Sequence, residues 1–192
     1  ELAATAQRIG RGDYQQPVAL ARSDELGLLA LAVNDMQRGI AERERQLAHN
    51  ALHDVLTGLP NRTLALERLG SAITAGRPTA LLYLGVGNFA AINESCGQGG
   101  GDLALQQLAR RLQATLRPGD SLARLLGDEF LLLLEQCDGD SAVASADRLH
   151  QLLLKPLRIG TQDVALDCRI GIAAYPADGD TPDDLLRRAR IA

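Results

Sequence analysis

Apolar residues recur between positions 26 and 47 at spacings of three and four: Leu26, Leu29, Val33, Met36, Ile40 and Leu47, with Arg43 holding the one polar place in the seam. A stripe of this kind is one face of a long helix that wants an identical partner. Gln37, Arg38, Glu42, Glu44 and Arg45 take the outer positions, as on the solvated face of a coiled coil. A single amphipathic helix packed on its own domain would show the same stripe. Upstream, Leu2 to Ile9 reads as a short helix ended by Gly10-Arg11-Gly12-Asp13. An irregular segment around Pro17 follows, and Ser23-Asp24-Glu25-Leu26-Gly27 opens the long helix. After residue 54 the pattern mixes periods. It predicts helices over 62–75, 102–116 and 141–154, strands over 79–84 and 164–174, and a last helix beginning at Pro182. Two apolar runs, Leu122 to Leu125 and Phe130 to Leu134, flank a short glycine turn, which makes a β-hairpin with acids at its exposed tip. Helices and strands in this order fit an α+β sheet covered by helices. The domain division expected is 1–50 and 51–192.

Composition narrows the possibilities. With 192 residues and 46% apolar content, the chain can bury one good core plus an extended appendage. A net charge of −4 and a pI near 5.4 argue against a nucleic-acid polymer or an anionic membrane surface as the main partner. Cys96, Cys137 and Cys168 are an odd count without metal-ligand spacing, and read as reduced thiols in or near the core. No apolar run approaches the roughly 20 residues that span a bilayer, and no signal peptide is visible. The chain starts and stops in mid-pattern, as a piece of something longer would.

The chemistry suggested by the hairpin is that of a metal–nucleotide site. Leu126-Gly127-Asp128-Glu129-Phe130 holds two adjacent acids at a fixed turn, and Mg²⁺ prefers carboxylate oxygens together with water and phosphate. A second acid should come from the neighbouring strand, Ala80 to Leu84. That strand runs instead into Gly85-Val86-Gly87-Asn88-Phe89.

These residues resemble the GGDEF domain, the family that condenses two GTP molecules into cyclic di-GMP. His53-Asp54-Val55-Leu56-Thr57-Gly58-Leu59-Pro60-Asn61-Arg62 is similar to its opening signature. Asn88 to Asn93, Gly97 to Asp102 and Arg169 to Pro176 follow in family order. The resemblance implies a nucleotidyl-cyclase-like fold, a central, mostly antiparallel sheet covered by helices. The segment before it resembles a HAMP module with a clipped first helix, a parallel dimer whose motion would pass along the helix into the next domain. Relatives of this kind sit on the cytoplasmic side of the bacterial inner membrane.

Carried over residue by residue, the family's metal-binding aspartate falls on Gly85, a second acid on Gly87 and the phosphate-contacting lysine on Ala90. The opening glycine of the hairpin falls on Leu126, whose branched side chain would crowd the nucleotide. Asp128 and Glu129 survive, with Asp128 as the remaining metal ligand, and no residue of 126–130 is assigned a catalytic role. Asn93 and Asp102 match residues that bond the guanine edge, although Asp102 could cap a helix that it begins and Asn93 could satisfy a loop. In relatives a lysine and an arginine beyond Ala192 grip phosphate. Removing one oxyanion-type contact typically costs about 10²- to 10³-fold in rate, so strong cyclase activity is not expected.

A separate constellation is complete. Arg117-Pro118-Gly119-Asp120 lies five residues before Leu126, where the family places an inhibitory Arg-x-x-Asp site for cyclic di-GMP, with Arg148 as an accessory contact. Arginine offers a fork to phosphate or guanine, and a carboxylate accepts from guanine N–H groups. A helix-ending turn broken by Pro118 and Gly119 would have the same sequence. The expectation is a catalytically silent module of cyclic di-GMP signalling, a HAMP homodimer joined to an EAL domain, with Mg²⁺ present only if GTP still binds. The alternatives are an active cyclase with unusual metal ligands and a nucleotide-free dimerisation spacer.

Overall fold

A computed structural model describes residues 25–191. The expected short helix from Leu2, the Pro17 connector and the helix-opening Ser23-Asp24 lie outside them, as does Ala192. The chain divides into two compact units, residues 1–51 and 52–192.

Helix α1 spans Glu25–Leu52. Leu26, Leu29, Met36 and Leu47 of the expected seam stand exposed, Val33 and Ile40 are half-buried, and Leu28 and Leu31 outside the seam are exposed as well. One assignment to the outer face is corrected. Gln37 is buried, together with Gly27 and Ala30. Offsets of three and seven residues bring these positions onto a common face, distinct from that of the leucines.

The second unit is built on a four-stranded antiparallel sheet in the order β2-β3-β1-β6. Its strands are β1 Thr79–Val86, β2 Ser121–Leu126, β3 Glu129–Glu135 and β6 Cys168–Tyr175. A separate hairpin pairs β4 Leu157–Ile159 with β5 Gln162–Val164. Four helices complete the unit: α2 Arg62–Thr74, α3 Phe89–Gln113, α4 Gly139–Leu153 and α5 Pro182–Ile191. Alternate residues of the strands enter two cores. Leu82, Leu84, Phe130 and Leu132 pack with Leu105, Leu108 and Leu112 of α3 and Leu149 and Leu153 of α4. On the other face Leu81, Tyr83, Leu131 and Leu133 pack with Leu69 of α2 and Leu185 of α5. Covering on both faces explains why β1 and β3 are continuous apolar runs rather than alternating ones.

Two expected elements differ. The helix predicted over 102–116 starts at Phe89 and is bent at Gly97, whose φ of 71° and ψ of 168° are non-helical. Among Gly97, Gly99, Gly100 and Gly101, only Gly97 needs a left-handed φ. Gly100 and Gly101 serve close packing inside the helix: a Cβ on Gly100 would sit 2.4 Å from Cys96 Cβ. The strand predicted over 164–174 is broken, with β5 ending at Val164 and β6 starting at Cys168. At the break Asn88 Nδ2 donates to the Ala165 carbonyl (2.9 Å) and the Asp167 amide donates to Asn88 Oδ1 (3.0 Å), tying the link to the exit of β1.

Candidate functional site

The candidate residues gather at opposite ends of the sheet. At the first end, β2 and β3 are joined through Gly127 and Asp128, with Leu126 paired to Glu129 and Gly127 at φ 56°. Arg124 pairs with Phe130, so Leu125 is an extra residue, a bulge that re-aims the strand before the turn. Arg124 Nε and Nη2 donate to the Gly127 carbonyl at 2.8 and 2.6 Å, and Nη1 donates to Asp54 Oδ1 at 2.8 Å. The same Asp54 oxygen accepts from the Thr57 amide and hydroxyl. Burial works to raise the Asp54 pKa, but hydrogen bonds from Thr57 and Arg124 outweigh it and hold the carboxyl below its ordinary value. Sequence reasoning missed Arg124 and Asp54 as a pair that fixes the turn. The Asp54-x-x-Thr57 spacing, typical of a side-chain-closed turn, was the available signal.

Gly85 is the cross-strand partner of Glu129, and a Cβ on Gly85 would meet no atom within 4 Å. The place expected for the metal-binding acid is therefore open. Gly87 differs, since its Cβ would lie 2.8 Å from Asp167 Oδ2. A carboxylate from the β5–β6 link covers the second acid's position, which the sequence could not indicate because the two residues are eighty positions apart. The Gly87 amide also donates to the Asp167 carbonyl at 2.7 Å. Among the described residues, no group of three or more His, Cys, Asp or Glu side chains is placed to hold a metal ion.

Of the hairpin signature, Phe130 belongs to the core, Asp128 is half-buried in the turn, and Leu126 is 77% exposed. Leu126 stands on the wall of a groove of about 400 Å³ with Arg62, Tyr83, Glu129, Arg187 and Arg190. Arg190 Nη2 donates to Glu129 Oε1 at 3.1 Å. Burial, followed by the neighbouring Glu129 carboxylate, pushes the Tyr83 phenol well above its ordinary pKa. The Tyr83 hydroxyl is buried beside the Glu129 carboxylate, just outside the strict geometry of a hydrogen bond to it.

The bend at Gly97 folds α3 so that Asn93 Oδ1 would lie 1.8 Å from a Cβ on Gly101, next to Asp102. Asn93 is thus brought against Gly101, the residue before Asp102. Asp102 does not begin a helix, as its capping role required, but sits within α3. Ala90 is exposed near the start of the same helix.

At the opposite end of the sheet, a cavity of about 800 Å³ is lined by Arg117, Asp120, Glu135, Ser145 and Arg148, among others. The two arginines come from elements separated by the whole β2–β3 hairpin. Asp120 Oδ2 accepts from the Arg117 amide at 3.0 Å, and Gly119 sits at φ 101°. Arg117 to Asp120 is therefore a self-closed turn as well as part of the cavity wall. Arg148 donates to Ser145 Oγ at 3.0 Å.

The profile of the family described as "Diguanylate cyclase, GGDEF domain" matches residues 51–192, and that of the HAMP domain matches residues 1–42. The chain is 40% identical over 157 residues to the "Bifunctional diguanylate cyclase/cyclic di-GMP phosphodiesterase MucR" of Pseudomonas aeruginosa, covering 80% of this chain and 23% of that protein. It is 34% identical over 206 residues to "Diguanylate cyclase TpbB" of the same species, covering 100% of this chain and 47% of that protein. It therefore spans from about a quarter to half the length of these relatives. The crystal structure of a sensory box/GGDEF family protein from Caulobacter crescentus is similar with a TM-score of 0.68 and 35% identity, over 73% of this chain and 94% of that one.

Proposed function

The chain belongs to the GGDEF domain family, and from that premise we propose that it is a receptor module of cyclic di-GMP signalling with little or no cyclase activity of its own. One observation carries the reading: Arg117, Asp120 and Arg148 converge on one cavity. Two guanidinium groups suit phosphate oxygens and the guanine Hoogsteen edge. The Asp120 oxygen that does not close its own turn can accept guanine N–H groups. None of this chemistry uses the residues replaced at Gly85 and Ala90. In the metal-dependent reaction, two carboxylates would hold Mg²⁺ against the triphosphate, and Gly85 supplies no oxygen ligand from its side chain.

Upstream, a parallel dimer through the leucine face of α1 would deliver the signal. The parent protein would be anchored at the membrane and joined to an EAL domain, as the bifunctional name of one relative suggests. Among the described residues no helix is long and apolar enough to cross a membrane.

Calorimetry with cyclic di-GMP tests the reading. The expected result is a Kd near 1 μM, about −8 kcal/mol, weakened by about 1.5–3 kcal/mol in Arg117→Ala. Equal, flat titrations of the two proteins would replace the receptor with a spacer. Incubation with GTP and Mg²⁺ should yield no cyclic di-GMP above background. Product at rates usual for the family would restore the cyclase.

A further inference from the structure

The cavity at the far end of the sheet carries more base-reading chemistry on its wall than the receptor reading uses. A cyclic dinucleotide brings two bases, and each guanine edge brings N–H donors that a carboxylate accepts. Of the two carboxylates on the wall, Asp120 has one oxygen left over from closing its own turn. Glu135 does not serve. It follows Leu134 at the end of β3, so strand alternation puts its side chain on the face of Leu131 and Leu133, where Arg77 Nη1 donates to Glu135 Oε2 at 2.9 Å. One carboxylate is left for two bases.

The next residue supplies a different reader. Gln136 also lines the cavity, and with a φ of 52° it is the one non-glycine residue at positive φ among the described residues. A left-handed backbone disfavours any residue with a Cβ, and such strain gathers at ligand clamps. Glycine would hold the same turn without that cost, so what Gln136 adds is its amide. That side chain is exposed and makes no hydrogen bond among the described residues. An amide presents a donor and an acceptor side by side. Turned one way it pairs with guanine N1–H and O6, and turned the other way with adenine N1 and N6–H. A carboxylate has no donor and would face the lone pair of adenine N1.

We propose that the cavity takes a mixed cyclic GMP–AMP as well as cyclic di-GMP, with Asp120 reading an obligatory guanine and Gln136 accepting either purine as the second base. This rests on the receptor reading of the cavity and extends it to a second ligand. Arg117 and Arg148 supply the phosphate contacts that both ligands share.

Calorimetry on the whole chain with cyclic di-GMP, 3′,3′-cyclic GMP–AMP and cyclic di-AMP is the test. The first two should bind within about threefold of one another, and cyclic di-AMP about tenfold or more weakly, because an adenine N1 must then face the Asp120 carboxylate. Gln136→Glu should keep cyclic di-GMP and weaken the mixed ligand by about tenfold, which makes the cavity selective. Gln136→Gly removes the amide and relaxes the backbone, so both ligands should weaken by the same factor without loss of thermal stability. A purely structural role for Gln136 would instead move stability and leave the ratio of the two affinities fixed. Mixed ligand bound more than about tenfold more weakly than cyclic di-GMP by the unmodified protein, or an unchanged ratio in Gln136→Glu, would overturn the proposal while cyclic di-GMP reception stands. Flat titrations with all three ligands would overturn both. Mixed-ligand binding that survives Arg117→Ala when cyclic di-GMP binding does not would place that ligand outside the cavity, and the proposal would fall.

Discussion

The two ends of the β2–β3 hairpin share strands and a core but not chemistry. At the turn end, Gly85, Gly87 and Ala90 stand where the family resemblance leads one to expect metal- and phosphate-binding groups. What remains is a turn held by Arg124 and a groove where Arg190 meets Glu129. At the far end, Arg117, Asp120 and Arg148 still line one cavity. Strands of six and seven residues separate the ends by roughly 20 Å. Direct electrostatic coupling over such a distance is largely screened at physiological salt. Side chains at one end can therefore change without altering the charges at the other, because the hydrophobic sheet between them constrains both without linking their charges.

Arg124→Ala would strain this separation most. Its side chain and that of Asp54 are only 10% and 24% exposed, and breaking a buried pair costs about 3–5 kcal/mol. Urea denaturation should show that loss. If the ends are independent, cyclic di-GMP affinity of the remaining folded protein should be unchanged.

A smaller effect is expected at the substrate-like side of the turn end. Gly101→Ala pushes a methyl group into the Asn93 amide, and overpacking of this sort costs about 1–3 kcal/mol. Thermal unfolding should register it. Calorimetry should again show cyclic di-GMP binding as before, whereas a large loss would mean that the ligand occupies the Asn93–Asp102 region.

Arg148→Ala sharpens the other side of the comparison. The guanidinium has one neutral hydrogen bond to Ser145, so its removal should leave stability within about 0.5 kcal/mol. Cyclic di-GMP binding should weaken by about 1.5 kcal/mol, roughly tenfold. Unaltered affinity would remove Arg148 from the site.

The last prediction concerns acid. Asp54 has a folded pKa below its ordinary value of 3.8, so its ionised form is favoured by folding. The stability it contributes is complete above that value and is lost as pH falls through the lower folded pKa. Between pH 5 and pH 2, the unmodified protein should lose more stability than Asp54→Asn, as urea melts at each pH would show. Parallel acid titrations of the two proteins would show that this pair does not set the turn.

Sequence alone determined the α+β class, the β2–β3 hairpin and the absence of side-chain ligands at Gly85 and Gly87, but not the β4–β5 hairpin, whose three-residue strands carry no period. Period and residue type are local properties, and a glycine has no carboxylate in any fold. The family resemblance also marked Arg117 and Asp120 as candidates, with Arg148 added as an accessory contact, although only folding puts both arginines on one cavity wall. Helix α3 was misread because a glycine run looks like a breaker. Gly97 is one, while Gly100 and Gly101 are small so that Cys96 and Asn93 can approach. The long-range pairings were not legible: Asp54 with Arg124, Asp167 over Gly87 and Arg190 on Glu129 all join distant segments. Such contacts depend on strand register, the bulge at Leu125 and the packing of α5, none of which has a local sequence period. Residue identity set which chemistry was possible, and tertiary packing decided which charges meet.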